Sequence, residues 1–121
     1  MYQYRKEIIE NIVGSETETI EFLSRLERSL LPLEPILPTG FRSKHIDNKT
    51  VIKGLYEFLT STIMIKAEIN HSKDNFNDVS HALIEIDFRV MRKQSEQNSE
   101  IVRVIERYGF KLYNREEPRY C

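Results

Sequence analysis

Three kinds of side chain in this sequence could carry chemistry: imidazoles near carboxylates, carboxylates paired on one strand face, and Lys and Arg clusters interleaved with aromatic rings. The imidazoles are His45, His71 and His81, with Asp47, Asp74 and Asp78 close by in sequence. A hairpin loop after His71 could bring that ring toward His81, and either loop aspartate could complete a metal-binding set. The spacing matches no metal signature, however, and Asp, Asn and Ser are what a polar loop needs for its own turns. A calcium loop starting at Asp74 fails as well, because Phe76 takes the third position and Val79 replaces the glycine of the sixth. No metal and no cofactor are expected.

Glu85 and Asp87 alternate with apolar residues and therefore share one strand face. Such a pair can separate its pKa values for acid–base work. Lys66 and Arg89 are expected beside them and would keep both ionised, which makes an ion-paired sheet face. The sequence has no phosphate-cradling loop, no dinucleotide fingerprint, no zinc-protease helix, no redox cysteine pair and no nucleophile elbow. No catalytic residue is assigned, and the chain is expected not to be an enzyme.

The basic clusters carry more weight. Arg42, Lys44, Lys49 and Lys53 follow a proline-rich stretch, while Arg103, Arg107 and Lys111 line a later helix and its exit. Tyr108, Phe110, Tyr113 and Tyr120 are interleaved with the second group. Rings that stack on bases beside cations that track phosphates suit single-stranded nucleic acid. Against that reading, the aromatic pattern of an RNA-recognition sheet is missing, and Phe88 falls on an apolar strand face. Nucleic-acid binding through these residues is thus an alternative to the principal expectation, a non-catalytic protein–protein interaction module.

Composition sets the frame for these side chains. The 121 residues suffice for one domain and are 40% hydrophobic and 31% charged, which excludes gross disorder and a polytopic membrane protein. Eighteen Lys and Arg against nineteen Asp and Glu leave a net charge of −1, so no global field drives nucleic-acid or membrane binding. The single cysteine, Cys121, excludes an intrachain disulfide and a Cys-built zinc site. The segment Met1–Glu7 is too polar for a signal peptide and no apolar run reaches membrane-spanning length, so a cytoplasmic location is expected.

The elements that position the clusters are read from periodicity. Tyr4, Ile8, Ile9, Ile12 and Val13 predict a helix over 3–13, closed by Gly14. Ser15-Glu16-Thr17-Glu18 reads as a capping box for a second helix over 16–30, with Ile20, Leu23, Leu26 and Leu30 as its stripe. The result is a helical hairpin over 1–31, tethered by a proline strap over 32–40 whose Leu33, Ile36 and Leu37 pack on the domain. Two helices cannot bury their stripes alone, so Ile8, Ile12, Leu23, Leu26 and Leu30 are interface candidates, and a homodimer is expected.

An α+β core is expected over 41–113. Residues 49–60 fit a helix or a strand, with Gly54 weakening the helix. Ile63, Ile65, Ala67 and Ile69, then Ala82, Ile84, Ile86 and Phe88, define two half-buried strands. Matching their apolar faces requires antiparallel pairs with an odd residue-number sum, and a sum of 151 sets Ile65 opposite Ile86 and Lys66 opposite Glu85, an opposite-charge pair. A helix over 96–108 ends at Gly109, and a short strand follows through Phe110 and Leu112 before a flexible tail over 114–121. With a strand taken from 33–46, the order is a ferredoxin-like split βαβ arrangement; the alternative is an antiparallel meander with one helix on its face. The passage Leu55–Lys93, ending in Ile84-Glu85-Ile86-Asp87-Phe88-Arg89-Val90 and the basic residues after it, is similar to the core of small tail-completion proteins of bacteriophages. That resemblance covers about a third of the chain, leaves out the first forty residues, and implies a structural subunit of a larger assembly such as a phage particle.

Overall fold

The computed structural model describes residues 1–11, 17–71, 79–91 and 95–115. In chain order these form β1 (Tyr2–Asn11), α1 (Thr17–Leu30), a 3-10 turn (Leu31–Leu33), β2 (Leu37–Ile46) and β3 (Lys49–Glu57). β4 (Ser61–His71), β5 (Val79–Val90), α2 (Glu96–Arg107) and β6 (Lys111–Arg115) follow. The fold is α+β, with a six-stranded sheet in the order β2-β3-β4-β5-β1-β6. Every neighbouring pair is antiparallel.

The expected helical hairpin does not form, because residues 2–11 are a strand. Tyr4 and Ile8 are four apart, a separation that suits one helix face and one strand face equally. Pairing with β5 along the whole of β1 and with β6 beyond it decides the matter, and neither partner is local. Lys6 interrupts the apolar face that β1 turns to the helices. Its stem crosses the Phe22 ring, with Nζ 4.8 Å from the centroid, and Nζ donates 2.9 Å to the Tyr108 carbonyl. Gly14 and Ser15, on which the hairpin joint rested, lie outside the described residues.

The split βαβ order is absent too. β2 to β5 run as a meander, and β1 and β6 extend it at the far side. Residues 49–57 are strand, with Gly54 opposite Phe41. A Cβ at Gly54 would come 2.8 Å from Phe41 Cδ1, so the ring lies where a side chain would stand. The ring then reaches Tyr56 at 6.0 Å. The β4–β5 register matches expectation, with Ile65 opposite Ile86 and Lys66 opposite Glu85.

One face of the sheet is apolar: Tyr4 and Ile8, then Ile84 and Ile86, Ile63 and Ile65, and Ile52 and Tyr56 are buried there. Leu23, Leu26 and Leu30 of α1 and Ile101, Val104 and Ile105 of α2 are buried in the same core. α2 begins at Ser95, whose hydroxyl accepts from the Asn98 amide, and ends before Gly109 at φ 85°. The Phe22 ring sits 5.7 Å from both Tyr108 and Phe110, joining the first half of α1 to the segment that leaves α2. In the strap, Leu33 packs against the core and its carbonyl accepts 2.8 Å from Gln97. Ile36 is exposed, contrary to expectation. Its amide already donates 2.7 Å to the Glu57 carbonyl, so backbone pairing, not apolar burial, holds it. β6 extends to Arg115, and residues 116–121 of the expected tail lie outside the described residues. Among the described residues no helix is long and apolar enough to cross a membrane.

Candidate interaction surface

Both helices cover one sheet face, so the alternate residues of every strand point to an open face. The registers align one row of these residues across all six strands. From the outer edge it reads Arg42, Lys53, Lys66, Glu85, Arg5 and Lys111. Five members of this row are cations and one is a carboxylate. The row beside it carries Lys44, Val51, Glu68, Leu83 and Glu7. On the other side stand Leu55, Met64, Asp87 and Gln3.

Over β2, β3 and β4 the open face is concave. A bulge between Pro38 and Phe41, with Gly40 at φ 66°, breaks the regular pairing of β2. Bulges increase local twist. The resulting cleft has a volume of about 650 Å³ and is lined by Arg42, Lys44, Lys53 and Lys66, by Ile46, Val51, Leu55 and Met64, and by Glu68. Met64 is 50% exposed and Ile46 47% exposed.

Charge pairing inside the cleft is lopsided. Glu68 takes Lys66 at 2.9 Å and Lys49 at 3.6 Å. Its carboxyl is held below the usual range, chiefly by the hydrogen bond from Lys66, and the Lys66 ammonium is correspondingly raised by Glu68. The expected Lys66–Glu85 pairing is therefore right in register, but the close ion pair forms along β4 instead of across to β5. Among the described residues no carboxylate forms an ion pair with Arg42, Lys44 or Lys53.

The first expected basic group thus comes together, with Arg42, Lys44, Lys49 and Lys53 on the open face of β2 and β3. The second does not. Arg103 pairs with Glu100 at 2.8 Å on α2. Arg107 lines a smaller cavity of about 320 Å³ with Lys6, Arg25 and Tyr108 on the helical side. Lys111 stands opposite Arg5 in the sheet. The interleaved rings are committed as well: Phe110 is buried, Tyr108 donates to the Arg25 carbonyl at 2.9 Å, and Tyr113 lies 3.8 Å beneath the Arg5 guanidinium. Tyr120 lies outside the described residues. Lys66 was not among the expected basic residues; the registers alone place it beside Lys53.

The interface candidates of the helices have a different fate. Ile8, Leu23, Leu26 and Leu30 are buried in the core of their own chain, and Ile12 lies outside the described residues. Of the α1 stripe, Leu23, Leu26 and Leu30 are thus covered in cis, while Ile20 is exposed. Of the imidazoles, His45 lies 3.0 Å from the Thr50 hydroxyl and His81 lies 3.6 Å from Glu7 on the open face. Asp47 sits in the β2–β3 turn at φ 52°, and Asp74 and Asp78 lie outside the described residues. Among the described residues no three His, Cys, Asp or Glu side chains gather as metal ligands. Asp87 accepts 3.1 Å from Gln3, and Glu85 stands between Lys66 and Arg5 in register.

Compared with family models and with curated proteins, the sequence gives no match to either.

Proposed function

We propose that this chain is a non-catalytic protein-interaction module, an adaptor or inhibitor, that works through the open face of its sheet. One observation carries the reading. Leu23, Leu26 and Leu30 of α1 and Ile101, Val104 and Ile105 of α2 are buried in their own core, whereas Met64, Ile46, Leu55 and Val51 line an uncovered cleft among cations. Exposed apolar patches rimmed by polar groups mark contact surfaces. Methionine suits such a surface because its unbranched, polarizable side chain adapts to different partners.

A second copy is a less favourable occupant of this face than a chain of opposite sign. The lining holds the cations Arg42, Lys44, Lys53 and Lys66 and the carboxylate Glu68, so two copies stacked here would bring together faces of the same net sign. The partner proposed is a different, acidic chain. The nucleic-acid reading keeps one supporting observation, the gathering of Arg42, Lys44 and Lys53 without carboxylate partners among the described residues. It lacks stacking rings in the cleft, where the described lining residues are aliphatic or charged.

A photoreactive amino acid placed at position 64 tests the reading, with position 28 on exposed Arg28 of α1 as the control. In cells that make the chain, position 64 should give a discrete protein adduct and position 28 should not. Equal adducts from both positions, or none from 64, would contradict it.

A further inference from the structure

Resting on that reading, we propose that the occupant of the open face is an acidic amphipathic helix of the partner, laid along β2, β3 and β4. Three strands about 4.8 Å apart span about 10 Å. That is the width of one helix with its side chains. The cleft repeats this geometry in its chemistry. Val51, Leu55 and Met64 offer apolar contacts, while Arg42 and Lys44 stand at the outer edge and Lys53 between the apolar positions. A helix with one apolar face and carboxylates flanking it would meet both.

The charge pattern excludes the reverse sign. Arg42 and Lys53 are register partners and neither pairs with a carboxylate among the described residues. A basic or neutral helix would leave them facing nothing of opposite sign, and each charge would lose water without compensation. A nucleic-acid strand would satisfy the cations but leave Val51, Leu55 and Met64 without apolar partners, and among the described lining residues Arg42 alone offers a plane on which a base could stack.

The test uses the full chain, isotopically labelled, and amide shifts as the readout. Three probes are titrated: a synthetic Leu/Glu amphipathic peptide of about 18 residues, or five turns, its Leu/Lys counterpart, and an oligothymidylate of similar length. The Leu/Glu peptide should shift amides of β2, β3 and β4, weaken as salt rises, and bind at least about tenfold less tightly to an Arg42→Glu/Lys53→Glu variant. Retained amide dispersion in that variant shows that the fold persists. Equal binding of the Leu/Lys peptide at the same amides would overturn the acidic class and leave the face itself standing. Tighter binding of the oligothymidylate there would overturn the protein occupant. If neither peptide touches β2–β4, the helix proposal falls, and the crosslinking at position 64 decides the open-face reading separately.

Discussion

Lys53 and Lys66 stand directly opposite one another on β3 and β4, two ammonium groups in register on the open face of the sheet. Like charges so placed destabilise a strand pair by a fraction of a kcal/mol. Among the described residues, Lys66 is the one of the two with an ion-pair partner, Glu68 at 2.9 Å. A surface optimised for the isolated chain would carry a carboxylate at position 53.

Lys53→Glu should therefore stabilise the chain by about 0.5 kcal/mol, because it sets opposite charges in register with Lys66 and Arg42. Urea unfolding measures this as a rise in midpoint at unchanged slope. A fall in midpoint would mean that Lys53 has a stabilising role that its position in the row does not explain. The same substitution should weaken partner binding, so stability and binding move in opposite directions.

The phenol of Tyr56 gives a pH signature. Tyr56 is fully buried and its hydroxyl donates to the Glu27 carboxylate. Burial foremost, and then Glu27, push its ionisation far above the ordinary phenol range. Below that range both states are protonated and the contribution is fully present. As pH rises through it, the unfolded chain ionises while folded Tyr56 stays neutral, so stability falls by about 1.4 kcal/mol per pH unit for this group. Tyr56→Phe should cost about 1 kcal/mol at neutral pH and flatten the alkaline limb. An alkaline limb as steep as the wild type's would show that Tyr56 does not contribute to it.

Gly54 is held to glycine by a neighbour. Its missing Cβ position is 2.8 Å from Phe41 Cδ1 and 2.9 Å from Cε1. Gly54→Ala should cost about 1–3 kcal/mol by overpacking. In a Phe41→Leu background the penalty should shrink, which a double-mutant cycle reads directly. An unchanged penalty in both backgrounds would remove the ring as the cause.

The buried centre of the sheet sets the scale for these effects. Ile65 and Ile86 are register partners, and both are fully buried. Ile86→Asp should abolish cooperative unfolding at ambient temperature, since an unpaired charge would enter the core. A cooperative melt near the wild-type temperature would show that the two faces of β5 are assigned the wrong way round.

Much of this architecture is legible from alternation alone. β4 and β5 each bury one face, which limits the pairing to registers that match the apolar sets, and setting Lys66 opposite Glu85 selects the one that pairs Ile65 with Ile86. α2 is legible from its apolar spacing and its Gly109 stop, while its Ser95 cap emerges only in the structure. β1 was not legible, because Tyr4 and Ile8 fit either period and because Lys6 breaks the apolar face. Only its distant partners, β5 and β6, decide for the strand, and the sheet order depends on that choice. The basic cleft was half legible. Arg42, Lys44, Lys49 and Lys53 are local in sequence, but Lys66 joins them through the β3–β4 register, and Met64 looks like a polar-face residue until the helices are seen to cover the other side.

Two methionines allow the most direct measurement on the open face. Met64 lies in the cleft at 50% exposure, and Met91 lies after β5 at 56% exposure. Radical oxidation followed by mass spectrometry reports both in one chain. In the purified chain the two should oxidise at similar rates, and in the cell Met64 should be protected while Met91 is not. Equal oxidation of Met64 and Met91 in both settings would contradict an occupied open face.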